Sequence, residues 1–245
     1  MKLPSFCRSL PLLIRLLLVS ALLVSIAGCS GFGAAKRSDR LDLAAADQSA
    51  TFSTLTANIR FSYAAEGRHG SLRGMLAYRA PDMLRVVLLN PFGTVLTDIL
   101  VQQQLLTIVY PAQQSGFEGP ASALPPGVER DLWRAVHWML EPAVHHLPDG
   151  SHRLSSAAGS ETVTILNGVM VSRERDSGEQ LRFEQYTSQS GILFAEVVTY
   201  ETSAGDRVRF VFDDAVVNES IDDATFILDR RGLRLLPLST LRSVQ

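Results

Sequence analysis

From Ala57 onward the chain follows a two-residue hydropathic period. Ala57, Ile59, Phe61 and Tyr63 alternate with Asn58, Arg60 and Ser62, the pattern of a strand with one dry and one wet face. Glu66-Gly67-Arg68-His69-Gly70 reads as a turn and Leu72 to Tyr78 as the next strand. After Arg79-Ala80-Pro81-Asp82, Met83 to Leu89 is apolar at every position but Arg85. Asn90-Pro91-Phe92-Gly93 turns the chain again, because proline fixes φ and glycine accepts positive φ. Thr94 to Val101 and Leu105 to Tyr110 complete an antiparallel meander. A short helix from Gln48 to Leu55 is expected ahead of it.

The period then changes. Beyond Gly119-Pro120 and Pro125-Pro126-Gly127, apolar residues recur at Val128, Leu132, Ala135, Val136, Met139 and Leu140 until Pro142, which is the stripe of one amphipathic helix. Strands resume at Thr162 to Leu166, Val169 to Arg173, Leu181 to Tyr186, Ile192 to Tyr200 and Arg207 to Val217. Asn167-Gly168, Ser177-Gly178, Ser190-Gly191 and Ala204-Gly205 stand in their turns. Ala224 to Leu228 is expected as a last strand, which brings the count to about eleven in a mainly β, barrel-like antiparallel sheet with one inserted helix.

Upstream of all this, Lys2, Arg8 and Arg15 lead into an apolar run from Leu16 to Ala27 that ends Ile26-Ala27-Gly28-Cys29. At 12 residues the run is shorter than the roughly 20 needed to cross a bilayer core as a helix. The order aliphatic-Ala-Gly-Cys predicts a lipoprotein signal peptide over residues 1–28, removed to leave Cys29 acylated. Residues 29–46 read as a lipidated N-terminus and linker, and 47–245 as one domain.

Composition narrows the function. Without that leader the chain carries 20 Lys plus Arg against 25 Asp plus Glu, a formal charge of −5, so no basic field for nucleic acid is expected. Cys7 leaves with the leader, and Cys29 alone makes no internal disulfide. His137, His145 and His146 lack a zinc-like spacing with a third ligand, so no metal or other cofactor is predicted. Asp213-Asp214 and Asp222-Asp223 read as turn carboxylates at strand ends. No nucleophile elbow, phosphate loop or dinucleotide fingerprint occurs, and no catalytic residue is assigned. What stands out is the number of strand positions that are apolar on both faces, which calls for a second layer or for an apolar ligand in a cavity.

Four patches, in order, resemble the LolA/LolB-type lipoprotein carriers and come nearest to the outer-membrane receptors of that family. They are Gly74 to Arg79 with Pro81-Asp82-Met83-Leu84; Asn90-Pro91-Phe92-Gly93; Pro126 to Pro142 with Leu132-Trp133 and Trp138-Met139-Leu140; and Asp223-Ala224-Thr225-Phe226 before Gly232. The likeness implies an incomplete β-barrel lidded by helices. It also implies that acyl chains of lipoproteins pass from a soluble, LolA-like periplasmic carrier into this domain and then into the outer membrane. On the same basis Ser30, standing where inner-membrane lipoproteins of enteric bacteria carry Asp, implies outer-membrane sorting. The acyl-chain cavity is expected at Leu76, Tyr78, Leu84, Val86 and Leu88, the lid at Leu132, Trp133 and Val136, and a membrane-contact loop at Pro91, Phe92 and Gly93. Arg79 lies one residue out of register with a family arginine tied to lid closure. A monomer is expected. A module of the same fold for another lipid or glycolipid, an assembly-accessory lipoprotein, and a hydrolase with a non-local site remain alternatives.

Overall fold

The computed structural model describes residues 53–241 apart from 66, 142–146, 157–158 and 190. The leader, Cys29, the linker, residues 48–52 of the expected N-terminal helix, His145 and His146 lie outside the described residues. Thr54 and Leu55, assigned to that helix from sequence, instead open strand β1. Alternation at Leu55, Ala57, Ile59 and Phe61, which are all buried, fits a pleated strand better than a 3.6-residue period.

The strands are β1 (Thr54–Ala65), β2 (Arg68–Arg79), β3 (Met83–Leu89), β4 (Val95–Gln102), β5 (Leu105–Tyr110) and β6 (Ser115–Pro120). After the one α-helix among the described residues, α1 (Val128–Leu140), come β7 (Gly150–Ser156), β8 (Gly159–Leu166), β9 (Val169–Arg175), β10 (Gln180–Gln189), β11 (Ile192–Glu201), β12 (Arg207–Val217) and β13 (Arg234–Pro237). They form one sheet in the order β13-β6-β5-β4-β3-β2-β1-β12-β11-β10-β9-β8-β7. All neighbours are antiparallel except β13 beside β6. Its ends, β13 and β7, are not paired to each other, so the sheet curls without closing.

The 13 strands exceed the expected eleven because glycine, serine and proline mask β6 (SGFEGP) and β7 (GSHRLSS), and β13 is only 4 residues long. Ala224 to Leu228 is not a strand. Asp223–Phe226 forms a 3-10 turn in which the Asp222 carboxylate accepts the Ala224 N–H at 2.8 Å, a side-chain cap that competes with extended pairing. Asp213 and Asp214 lie within β12 and not at its end. Asp214 (φ 52°) occupies a bulge where β12 gains one residue on β1 between Thr56 and Asn58, the strand irregularity that accommodates one extra residue.

Register puts one apolar row after another on the concave face. Leu76 opposes Val86, Tyr78 opposes Leu84, and Leu84 and Val86 oppose Val101 and Ile99. Phe194, Phe210 and Phe212 continue this layer on β11 and β12. Each such side chain contributes about 1.5–3 kcal/mol by leaving water. At Gly74 a Cβ would meet the Val87 carbonyl oxygen at 2.2 Å, so β3 comes this close to β2 only because no side chain is present. The convex face has its own small core. Phe226 packs on Ala77 and Leu100, and the Arg79 guanidinium lies 4.9 Å from the Phe226 ring centroid while pairing with Asp223 at 2.7 Å. Arg85 pairs with Asp98 at 2.7 Å and donates to the Thr225 carbonyl at 2.8 Å. Arg79 therefore clamps the C-terminal segment to the back of the sheet, on the face opposite α1. A lid-closing role does not fit that position.

Candidate functional site: an apolar cavity under one helix

Helix α1 starts after Pro125-Pro126-Gly127, with Gly127 at φ 143° as its N-cap, a conformation that glycine tolerates. Glu129 and Asp131 stand in the first turn and His137 in the last, the charge order that a helix dipole favours. The helix lies across the concave face, and its two flanks meet different surroundings.

On the β8 to β11 flank the space is filled. Trp138 is fully buried, donates its indole N–H to Glu161 at 2.9 Å, and is covered by Arg175 and Arg173 at 4.1 and 5.5 Å from the ring centroid. Arg173, 4% exposed, also donates to the Trp138 carbonyl at 2.9 Å and pairs with Glu161 at 2.8 Å and Glu141 at 3.2 Å. Buried Glu179 takes Arg134 at 2.6 Å and the Tyr200 hydroxyl at 2.7 Å. Burial, with Glu179 beside it, pushes the Tyr200 hydroxyl well above the ordinary phenol value. Burial alone would raise the Glu141 carboxyl, but the His137 hydrogen bond and the Arg173 and Arg175 charges hold it below the usual range. Charges this far from water persist only when paired. This network was not anticipated from sequence. Its one signal was a pair of arginines two apart in a strand, Arg173 and Arg175, which share a face.

On the β2 to β5 flank the space is open. Leu76, Leu84, Val86 and Leu88 floor a cavity of about 300 Å³, and Leu132, Trp133 and Val136 of α1 roof it. Its polar lining includes Tyr63, Arg68, Thr97, Tyr110 and Glu129. Burial, aided by Glu129, raises the Tyr110 pKa and keeps that hydroxyl neutral. Tyr78, expected in the same cavity, instead lines a second space of about 600 Å³ on the other side of Trp133. It lies near the β2–β3 turn, under the C-terminal half of α1, where Trp133, Arg134, His137 and Leu140 line the same space. The arrangement suits binding of an apolar chain, since ligand sites are concave and mostly apolar with few polar groups. Among the described residues no three His, Cys, Asp or Glu side chains gather as metal ligands.

At the far end of β3 the chain reverses through Asn90-Pro91-Phe92-Gly93. The Asn90 side chain accepts the Phe92 and Thr94 N–H groups, each at 2.9 Å, and Gly93 has φ 82°. Phe92 stands 92% exposed at the tip. Leu96, 37% exposed, lies just beyond in β4.

Among the solved structures that share this architecture are these two. A DUF1329 family protein from Desulfovibrio piger superposes with a TM-score of 0.57 at 13% identity, covering 74% of this chain and 92% of that one. A domain from Vibrio parahaemolyticus described as an outer membrane lipoprotein-sorting protein gives 0.54 at 10% identity, covering 73% and 91%. The chain shares their fold. At such identities the likeness speaks to the fold alone. No family model and no curated relative matches the sequence.

Proposed function

We propose that this chain is a lipid-anchored receptor on the periplasmic face of the outer membrane. It takes the acyl chains of lipoproteins from a LolA-like carrier and passes them into the bilayer. The carrying observation is the apolar cavity floored by Leu76, Leu84, Val86 and Leu88 and roofed by α1. The sequence resemblance, the fold shared with a domain described as lipoprotein-sorting and the exposed Phe92 support the same conclusion. Acylated Cys29 would hold the domain at the membrane, and Phe92 would enter its interface, as an exposed apolar tip favours. The protein would act as a monomer, without cofactor or catalytic step. Transfer runs downhill if each site holds the chains more favourably than the last, at about 0.8 kcal/mol per buried methylene.

Depletion of the protein tests this in cells. Lipoproteins should accumulate on the periplasmic carrier, and Phe92→Glu should reproduce the defect with the fold intact. Normal outer-membrane lipoprotein levels after depletion would refute delivery. A phospholipid or glycolipid co-purifying with the domain, together with normal sorting, would point to a lipid-binding module of the same fold.

A further inference from the structure

The two cavities have only two lining residues in common, Leu84 and Trp133. Leu84 is fixed in β3, opposite Tyr78 and Val101. The wall that can move is therefore the Trp133 side chain. Among the described residues its indole N–H has no hydrogen-bond partner, and its ring contact is His137 on the next turn at 5.5 Å. Trp138, five positions on, is held by a hydrogen bond, two guanidinium groups and the edge of Tyr200. A rotamer change at Trp133 breaks no polar contact, whereas one at Trp138 breaks several.

The spaces on either side differ in chemistry and in direction. The smaller runs along Leu84, Val86 and Leu88 toward the Phe92 end of β3 and is mostly apolar, with Arg68 and Glu129 as its charged side chains. The larger lies at the opposite end, between the Ala80–Asp82 turn and α1. It carries Arg134, His137 and Arg175 against Glu141 and Asp82. An amphiphile with an anionic or ester head matches the two in sequence, because its head gains donors among the basic side chains while its tail stays dry.

We infer that one long-chain acyl amphiphile occupies both cavities. Its polar head lies beside Arg134 and His137, its alkyl chain passes a displaced Trp133, and its tail points toward Phe92. This rests on the acyl-binding function proposed above and adds to it an orientation, a head-group site and a specificity-determining partition. A chain held this way leaves tail first at the end that carries the exposed aromatic.

Bromine quenches indole emission at short range, and the chain has only two tryptophans. Trp138 lines neither cavity. The full chain with Cys29→Ser would be titrated with palmitate brominated beside the carboxylate and with palmitate brominated at the terminal methyl, while calorimetry reads binding separately. The expected result is loss of Trp133 emission with the head-brominated probe, little loss with the tail-brominated one, and disappearance of the effect in Trp133→Phe, which keeps an aromatic ring. Quenching by the tail-brominated probe alone would reverse the orientation and overturn the inference, as would calorimetric binding without quenching by either probe. Absence of calorimetric binding by both probes would overturn the acyl-binding function itself.

Discussion

The strands on the two sides of α1 present similar apolar rows to the same helix, yet they fill the space beneath it differently. Toward β8 to β11, Trp138 and the Arg173, Glu161, Glu141 and Glu179 network leave the helix no freedom to lift without exposing paired charge. Toward β2 to β5, Leu132, Trp133 and Val136 roof a cavity and make no comparable polar commitments. One flank is a hinge plate and the other a cover. A helix fixed along one side can uncover the space on its other side while the fold stays intact, which a lidded binding site requires.

Mutations that treat the two flanks alike should give unequal results. The largest effect is expected from Trp138→Ala, because truncating a fully buried tryptophan costs about 3–5 kcal/mol and here also strips cover from Arg173. Urea denaturation would measure it, and a loss below about 1 kcal/mol would show that this flank does not hold the helix. Next comes a matched pair. Val163→Phe, at a position 1% exposed and opposite Arg173, should cost about 1–3 kcal/mol by overpacking. Val86→Phe should cost distinctly less because its ring enters the cavity. Equal losses would mean that the cavity side is as tightly packed as the other.

The smallest effect concerns the start of α1. Burial raises the Asp131 pKa, and Asp206 and Glu179 add to the rise while Arg134 partly offsets it. The folded state thus binds this proton more tightly than the unfolded state. The charged carboxylate therefore lowers stability at neutral pH, and the penalty fades as pH falls through the folded value. Asp131→Asn should accordingly raise the melting temperature slightly at neutral pH and leave it unchanged in acid. Glu141 has the opposite sign, and its stabilisation is lost as pH falls through its lowered value.

Much of this organisation was legible from the alternation of residues. The inward positions Leu76, Leu84, Val86 and Leu88 follow from period two once one face is known to be buried, and Leu132, Trp133 and Val136 follow from the helical stripe. Tyr78 fell beyond the first cavity because Trp133 of α1 divides the space under the helix, and where that side chain meets the sheet is tertiary information. β6 was hidden for a related reason, since Gly116 lets the Ile108 carbonyl of β5 approach and Gly119 makes room for Leu238, and neither glycine carries hydropathy. Of the Trp138 network only the Arg173 and Arg175 pair left a trace in the sequence, because Glu161 and Arg173 meet through strand register and not through sequence spacing.

The most direct test of an acyl-binding interior is native mass spectrometry of the Cys29→Ser chain incubated with palmitate. A discrete palmitate adduct is predicted, lost in Val86→Trp, whose indole occupies the cavity. Absence of the adduct in the otherwise unaltered chain, or its persistence in Val86→Trp, would contradict the account.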